Sequence, residues 1–311
     1  MILSHQKNNS MPNNINFALL LKQNAKFTVV LGSGFHRHFL GQDSILSSWE
    51  LLLQKLSPIT KLTGEYHLDF EKIIESKKTP CEDSSKTEER LLECVNKMLQ
   101  TEQERVLENC ASCYPIDIFN PKYVSDVISL NFDEIPELLL KKREGVKLGK
   151  LNNNSSFKES SKDSYSFLTS RFKTADFGKD GKINFWHPHG VIGNKKSIIL
   201  GLHKYSHMLE TSIRLRNSHM KLKRKNEFDL TWYQALLNNP VIILGAAMSS
   251  TEWDMWFALT SRNRANGDKQ PIFQMRECEC KTDAQHEWFE PLFAGMDFNQ
   301  QWKELEKLFK V

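Results

Sequence analysis

The chain has 311 residues, with 42 Lys plus Arg against 38 Asp plus Glu, a net charge of +4, 40% hydrophobic residues and 26% charged ones. This is ordinary globular usage, which excludes wholesale disorder, and a charge balance this close to neutral does not argue for nucleic-acid binding. No apolar run approaches the roughly 20 residues that cross a bilayer, and the polar stretch 1–14 lacks the apolar core of a secretory leader, so the expectation is a cytoplasmic chain whose six cysteines stay as thiols.

Residues 16–24 read as a short helix. Residues 26–31 (KFTVVL) are short, β-branched and apolar, a buried strand that stops at Gly32-Ser33-Gly34. Residues 45–56 carry Trp49, Leu52, Leu53 and Leu56 at helical spacing. Residues 70–77 predict a short helix, and 86–110 a longer amphipathic one with Leu91, Val95, Met98 and Leu99 on one face; the stretch at about 67–113 is read as a helical insertion. Cys110 and Cys113 have ligand spacing, but Cys278 and Cys280 are distant and wrongly spaced for a structural zinc, so free thiols are expected.

Residues 126–130 form a second buried strand, ending at Asn131-Phe132-Asp133, and 134–142 a short helix. Residues 145–180 are rich in Lys, Ser and Asn, with little apolar surface to offset the entropy of ordering, and read as a mobile loop insertion. A third strand, 182–186, ends at His187-Pro188-His189-Gly190. The helix at 204–224 is basic on one side, read as a solvated face, with a phosphate-binding surface as the alternative. Then come a helix at 230–238, a fourth strand at 240–244 ending at Gly245-Ala246-Ala247, a helix at 251–264, a fifth strand at 271–275 and a closing helix at 299–310. Ser249, Ser250 or Thr251 is expected to cap the helix at 251–264, and Trp253, Trp256 and Phe257, at i, i+3 and i+4, are read as core.

Strands alternating with helices predict one α/β domain over 1–311, a Rossmann-like parallel sheet with flanking helices and a helical insertion. The motifs at Gly32, Asn131, His189 and Gly245 each follow the C-terminal end of a predicted strand, and in open parallel sheets the ligand crevice lies outside those ends. Glycines after the first strand permit a tight turn and close approach to a phosphate, although the third glycine of a GxGxxG loop is replaced in the run His36-Arg37-His38. Arg37 is a surface arginine or a pyrophosphate contact. Asn131 can donate and accept, so it can orient water or a ribose hydroxyl, or simply form a turn with Asp133. A histidine at a strand end, His187 or His189, can serve as a general base near neutral pH or be a buried, hydrogen-bonded turn residue.

Taken in order, Gly32-Ser33-Gly34, Trp49 to Leu53, Asn131-Phe132-Asp133, His189-Gly190 and Gly245 to Ser249 resemble the sirtuin-like NAD-binding fold, and more closely the sirtuin-like NAD hydrolases of bacterial antiphage defence systems. The resemblance spans about residues 26–265. It implies Asn131 and His189 as catalytic residues, with His187 as the alternative base. Gly32, Ser33, Gly34, Phe35, Asp133, Gly245 and Ala246 are implied as the NAD-binding set. No cysteine lies between Cys113 and Cys278, so the four-cysteine zinc ribbon of the deacetylating sirtuins is missing. Its loss argues for plain hydrolysis of NAD to nicotinamide and ADP-ribose, with no metal.

Unrestrained NAD hydrolysis would kill the host, so an enzyme of this type is expected to be held inactive, as a homo-oligomer or by a separately encoded regulatory partner; the charge balance and the lack of a long apolar run predict no nucleic-acid or membrane role. The alternatives are a non-catalytic subunit that binds NAD or ADP-ribose within a defence complex, and a Rossmann-type oxidoreductase, which the incomplete glycine loop disfavours.

Overall fold

The computed structural model describes residues 17–58, 61–150, 173–222, 231–248, 252–265, 270–276, 289–293 and 295–310. A single mixed sheet runs through them in the order β3-β4-β5-β2-β1-β6-β7-β8. Its centre is β1 (Phe27–Leu31), flanked in parallel by β2 (Val124–Ser129) and β6 (Val241–Leu244). Outside these lie β5 (Lys182–Trp186), parallel to β2, and β7 (Ile272–Gln274), parallel to β6. β1 is buried along its whole length, as a strand covered on both faces must be, which is why it reads as an unbroken apolar run.

The chain moves outward from β1 to β2 and β5 on one side, then returns to place β6 on the other. The order therefore reverses at β1, and the crevice of such a sheet opens at the carboxyl ends flanking that point.

Helices cover both faces. Val29 and Leu31 point into one core, shared with α1 (Phe17–Lys22), α2 (Ser33–Leu40), α3 (Trp49–Leu56), α4 (Tyr66–Lys77), α5 (Ser84–Asn109), α6 (Ile135–Lys141) and α10 (Phe298–Phe309). Val30, Ile128, Trp186 and Ile243 point into the other, against α7 (Leu202–Leu222), α8 (Trp232–Asn238) and α9 (Trp253–Ala265). The alternation of neighbours Val29 and Val30 between two cores is the two-residue period of a strand. Local signals set the helix starts: Ser48 caps α3, Asp83 caps α5, Pro136 sits in the first turn of α6, and reciprocal capping boxes open α8 (Thr231, Gln234) and α10 (Asp297, Gln300).

Three expectations need correction. The segment 145–180 is not loop throughout: β3 (Lys147–Lys150) and β4 (Lys173–Asp176) form an antiparallel pair that extends the sheet beyond β5, with Ala175 fully buried opposite Ile183. Pairing to an existing edge supplies backbone hydrogen bonds that composition does not reveal; the polar centre, 151–172, lies outside the described residues. The helix expected from residue 45 starts at Trp49, because Ser48 accepts the Leu51 N–H as its cap. Trp253 is not core but 63% exposed, while Trp256 and Phe257 pack half-buried against the second core. A further two-residue strand, β8 (Glu290–Pro291), pairs with β7 and carries no sequence signal of its own.

Cys110 and Cys113 are free thiols, whereas Cys278, Cys280 and the capping candidates Ser249, Ser250 and Thr251 fall outside the described residues. So do most side chains of the basic face expected on 204–224. Among the described residues no helix is long and apolar enough to cross a membrane.

Candidate functional site at the carboxyl edge of the sheet

The sheet brings the ends of β1, β2, β5 and β6 to one edge, and with them Gly32, Asn131, His187, His189 and Gly245. The glycines have a specific cause. The Gly32 N–H donates to the Leu244 carbonyl at 3.0 Å, and the Gly34 N–H to the Gly245 carbonyl at 2.8 Å. A Cβ at Gly32 would meet the Ala246 Cα at 2.6 Å, and one at Gly34 the Gly245 carbonyl at 2.7 Å. Gly245 has φ +69°, and a Cβ there would lie 2.0 Å from the Phe35 nitrogen. The two loops interlock main chain to main chain, so the N–H groups of Gly32 and Gly34 are spent on β6 and its loop rather than aimed at an anion.

Ser33, Gly34 and Gly245 remain half-buried at the rim. Phe35 is fully buried, and its ring packs against Phe39, Tyr114 and Trp302, so it reaches the edge only through its backbone. Ala246 is buried and its carbonyl accepts from Gln274 Nε2 at 3.1 Å. Arg37 is exposed and donates to the Ser47 carbonyl.

Asn131 is 4% exposed, and its Nδ2 donates to the Gly32 carbonyl at 3.1 Å. Asp133 is buried: Oδ1 accepts the Ile135 N–H at the start of α6, and Oδ2 lies 2.8 Å from His36 Nε2. Burial alone would raise the Asp133 pKa, but the adjacent His36 imidazole outweighs it and holds the carboxyl below its usual range. His36 Nδ1 in turn meets the Tyr114 hydroxyl at 2.8 Å. Asp133 therefore braces α2 against α6 beneath the Asn131 loop.

His187 and His189 are both buried. His187 places Nε2 2.6 Å from Glu137 Oε1 and Nδ1 3.2 Å from the Asn131 carbonyl. His189 places Nε2 3.0 Å from Asp254 Oδ2 and Nδ1 3.2 Å from the Leu130 carbonyl. The two backbone carbonyls only accept, and so do the two carboxyl groups when ionised; both nitrogens of each ring then donate, and each histidine is an imidazolium. For each, burial pushes the pKa down, but the carboxylate it touches, Glu137 or Asp254, raises it above the ordinary histidine value. Gly190 follows with φ +98°, where a Cβ would strike the Ser197 carbonyl at 2.0 Å, so the His-Gly pair has a steric as well as a chemical reason.

Asp254 Oδ1 accepts the Tyr205 hydroxyl at 2.8 Å. The Tyr205 ring stacks on His67 with centroids 3.8 Å apart, and His67 Nδ1 lies 2.7 Å from the Leu200 carbonyl. Burial lowers the His67 pKa to about 4, so it is neutral and donates from Nδ1. Trp49 lies edge-on to His189 at 5.8 Å.

Three buried histidine–carboxylate pairs thus lie at or just behind the sheet edge: His36–Asp133, His187–Glu137 and His189–Asp254. Motif reading brings Asn131 and His189 to this edge, but misses Glu137, Asp254, Tyr205 and the pairing of His36. Glu137 and Asp254 leave a faint signal, each being an acid within an apolar helical run (IPELLL and WDMWF). A cavity of about 740 Å³ is separate from this edge, opening at the other end of the sheet beside Lys26 and Lys122, which precede β1 and β2. Among the described residues, no group of three His, Cys, Asp or Glu could hold a metal ion. No known family model matches the chain, and no curated protein matches it.

Proposed function

We propose that the chain is an NAD glycohydrolase, hydrolysing NAD with water to nicotinamide, ADP-ribose and a proton. One observation carries the reading: at the reversal point of the sheet, His189 rests on the peptide that joins Leu130 to Asn131, while the Asn131 amide reaches Gly32. A potential base, a ribose- or water-orienting amide and the loop after β1 thereby share the crevice in which such sheets bind nucleotides.

Departure of nicotinamide leaves positive charge on the ribose. Asn131 orients the ribose or the attacking water, and His189, once deprotonated, takes the proton. Ser33, half-buried at the rim, faces the pyrophosphate end, and Asp133 acts by fixing the Asn131 loop. The family resemblance carries the biological setting, depletion of NAD in antiphage defence when a partner or assembly activates the enzyme.

The test is nicotinamide release from NAD by purified protein beside His189→Ala, alone and with the products of neighbouring genes. Release that disappears in His189→Ala supports the reading. NAD binding without release under every condition supports the second reading, a nucleotide-binding subunit, which is favoured by the engagement of both His189 nitrogens with protein acceptors.

A further inference from the structure

A general base needs a nitrogen with a free lone pair. In an acid–imidazole–nucleophile array the carboxylate holds one ring nitrogen and the other faces the reactant. His189 has the first half of that arrangement, with Asp254 on Nε2 at 3.0 Å. The second half is covered by a neutral carbonyl, that of Leu130, at 3.2 Å from Nδ1. Of the two contacts, the one to the carboxylate is charge-assisted and the stronger, so the Leu130 contact is the one to give way.

We propose that Asp254 is the positioning residue of His189, and that Nδ1, released from the Leu130 carbonyl when substrate or water takes its place, is the atom that accepts the proton. For its chemistry this rests on the NAD-hydrolase reading; the pairing itself does not. Nδ1 first loses its proton to solvent. Its lone pair then takes a proton from water as the water oxygen bonds to the ribose carbon, and the ribose–nicotinamide bond breaks with its electron pair leaving on nicotinamide.

The surroundings hold Asp254 for this task. Its Oδ1 accepts the Tyr205 hydroxyl at 2.8 Å, and its main-chain N–H donates back to the same oxygen at 3.2 Å. Tyr205 is stacked on His67, which is itself fixed to the Leu200 carbonyl. Among the described residues, the titratable groups facing His189 are Asp254 in the first turn of α9 and Glu252 just before it, Tyr205 from α7 and the neutral His67 from α4; Trp49 from α3 adds an uncharged edge.

The experiment compares wild type with Asp254→Asn and Tyr205→Phe in the pH profile of kcat/KM for NAD, and follows His189 by ¹⁵N NMR, its signals assigned with His189→Gln. Asp254→Asn keeps the shape and removes the charge. The acid limb and the His189 titration should move down by about one pH unit or more, and kcat should fall about 100-fold or more with KM little changed. Tyr205→Phe leaves the carboxylate with one donor fewer and so more basic, and should move both in the opposite direction; it also serves if Asp254→Asn fails to fold. A limb and a titration that stay in place in these variants overturn the proposal, even if wild type releases nicotinamide in a His189-dependent way and the hydrolase reading stands. If wild type releases none, alone or with the products of neighbouring genes, the hydrolase reading falls, and the NMR titration alone still decides whether Asp254 sets the charge of His189.

Discussion

The Asn131 side-chain amide donates to the Gly32 carbonyl at 3.1 Å, joining the end of β2 to the end of β1 through a side chain that is almost wholly buried. This bond gives Asn131 a structural share beside its proposed chemical one. Asn131→Ala is expected to abolish nicotinamide release while costing only about 1–2 kcal/mol of stability, the worth of one buried hydrogen bond and the acceptor left behind. Full turnover in that variant, measured beside its urea midpoint, would reduce Asn131 to a turn residue.

Gly245 offers a test of the loop contact. Alanine there must adopt φ near +69° and intrude to 2.0 Å from the Phe35 nitrogen. Left-handed strain alone costs on the order of 1–2 kcal/mol, and the clash with main chain adds to it, so Gly245→Ala should lose more than about 2 kcal/mol in denaturant titration. A loss under about 0.5 kcal/mol would mean that the two loops are free to part.

The His187–Glu137 pair predicts a large, activity-independent effect. Both side chains are essentially unexposed, so Glu137→Ala leaves an imidazolium buried without its acid. Breaking such a pair costs about 3–5 kcal/mol. Thermal unfolding should report a loss of that order, with Glu137→Gln intermediate because it keeps an acceptor; equal, small losses for both would show that the pair is uncharged.

The same pairs set the pH dependence of stability. The folded pKa values of His187 and His189 are raised above 6.5. Their contribution is therefore complete below the unfolded value and is lost as pH rises through the folded ones. Asp133 and Asp254 are held below 3.8, so theirs is complete above that value and lost as pH falls through the folded ones. Urea midpoints should accordingly decline as pH rises above the ordinary histidine value, and again in strong acid. A midpoint that climbs over the alkaline range would contradict the imidazolium assignment.

The central sheet was legible because β1, β2, β5 and β6 are apolar runs punctuated by unusual residues. β3 and β4 were not, since their order comes from pairing, β4 to β5 and β3 to β4, rather than from their own side chains. Asn131 and His189 stood out as polar groups where strands end. Their partners did not: Asp254 is 65 residues from His189, and Glu137 is 50 from His187. Helical periodicity cannot tell an acid turned to a buried imidazole from one turned to water. Trp253 shows the converse error, an aromatic at core spacing that lies outside.

The contact between the loops after β1 and β6 has one more consequence. Glycine at 32, 34 and 245 meets backbone on the far side, with the Ala246 methyl the one side-chain atom among their nearest neighbours. Most contacts in a protein can drift by degrees, a methyl group at a time. This one offers no intermediate settings: any residue larger than glycine forces the strand ends apart. Change at this edge must therefore proceed at Ser33, at Ala247 and along the helices that follow, while the crossing itself stays closed to it.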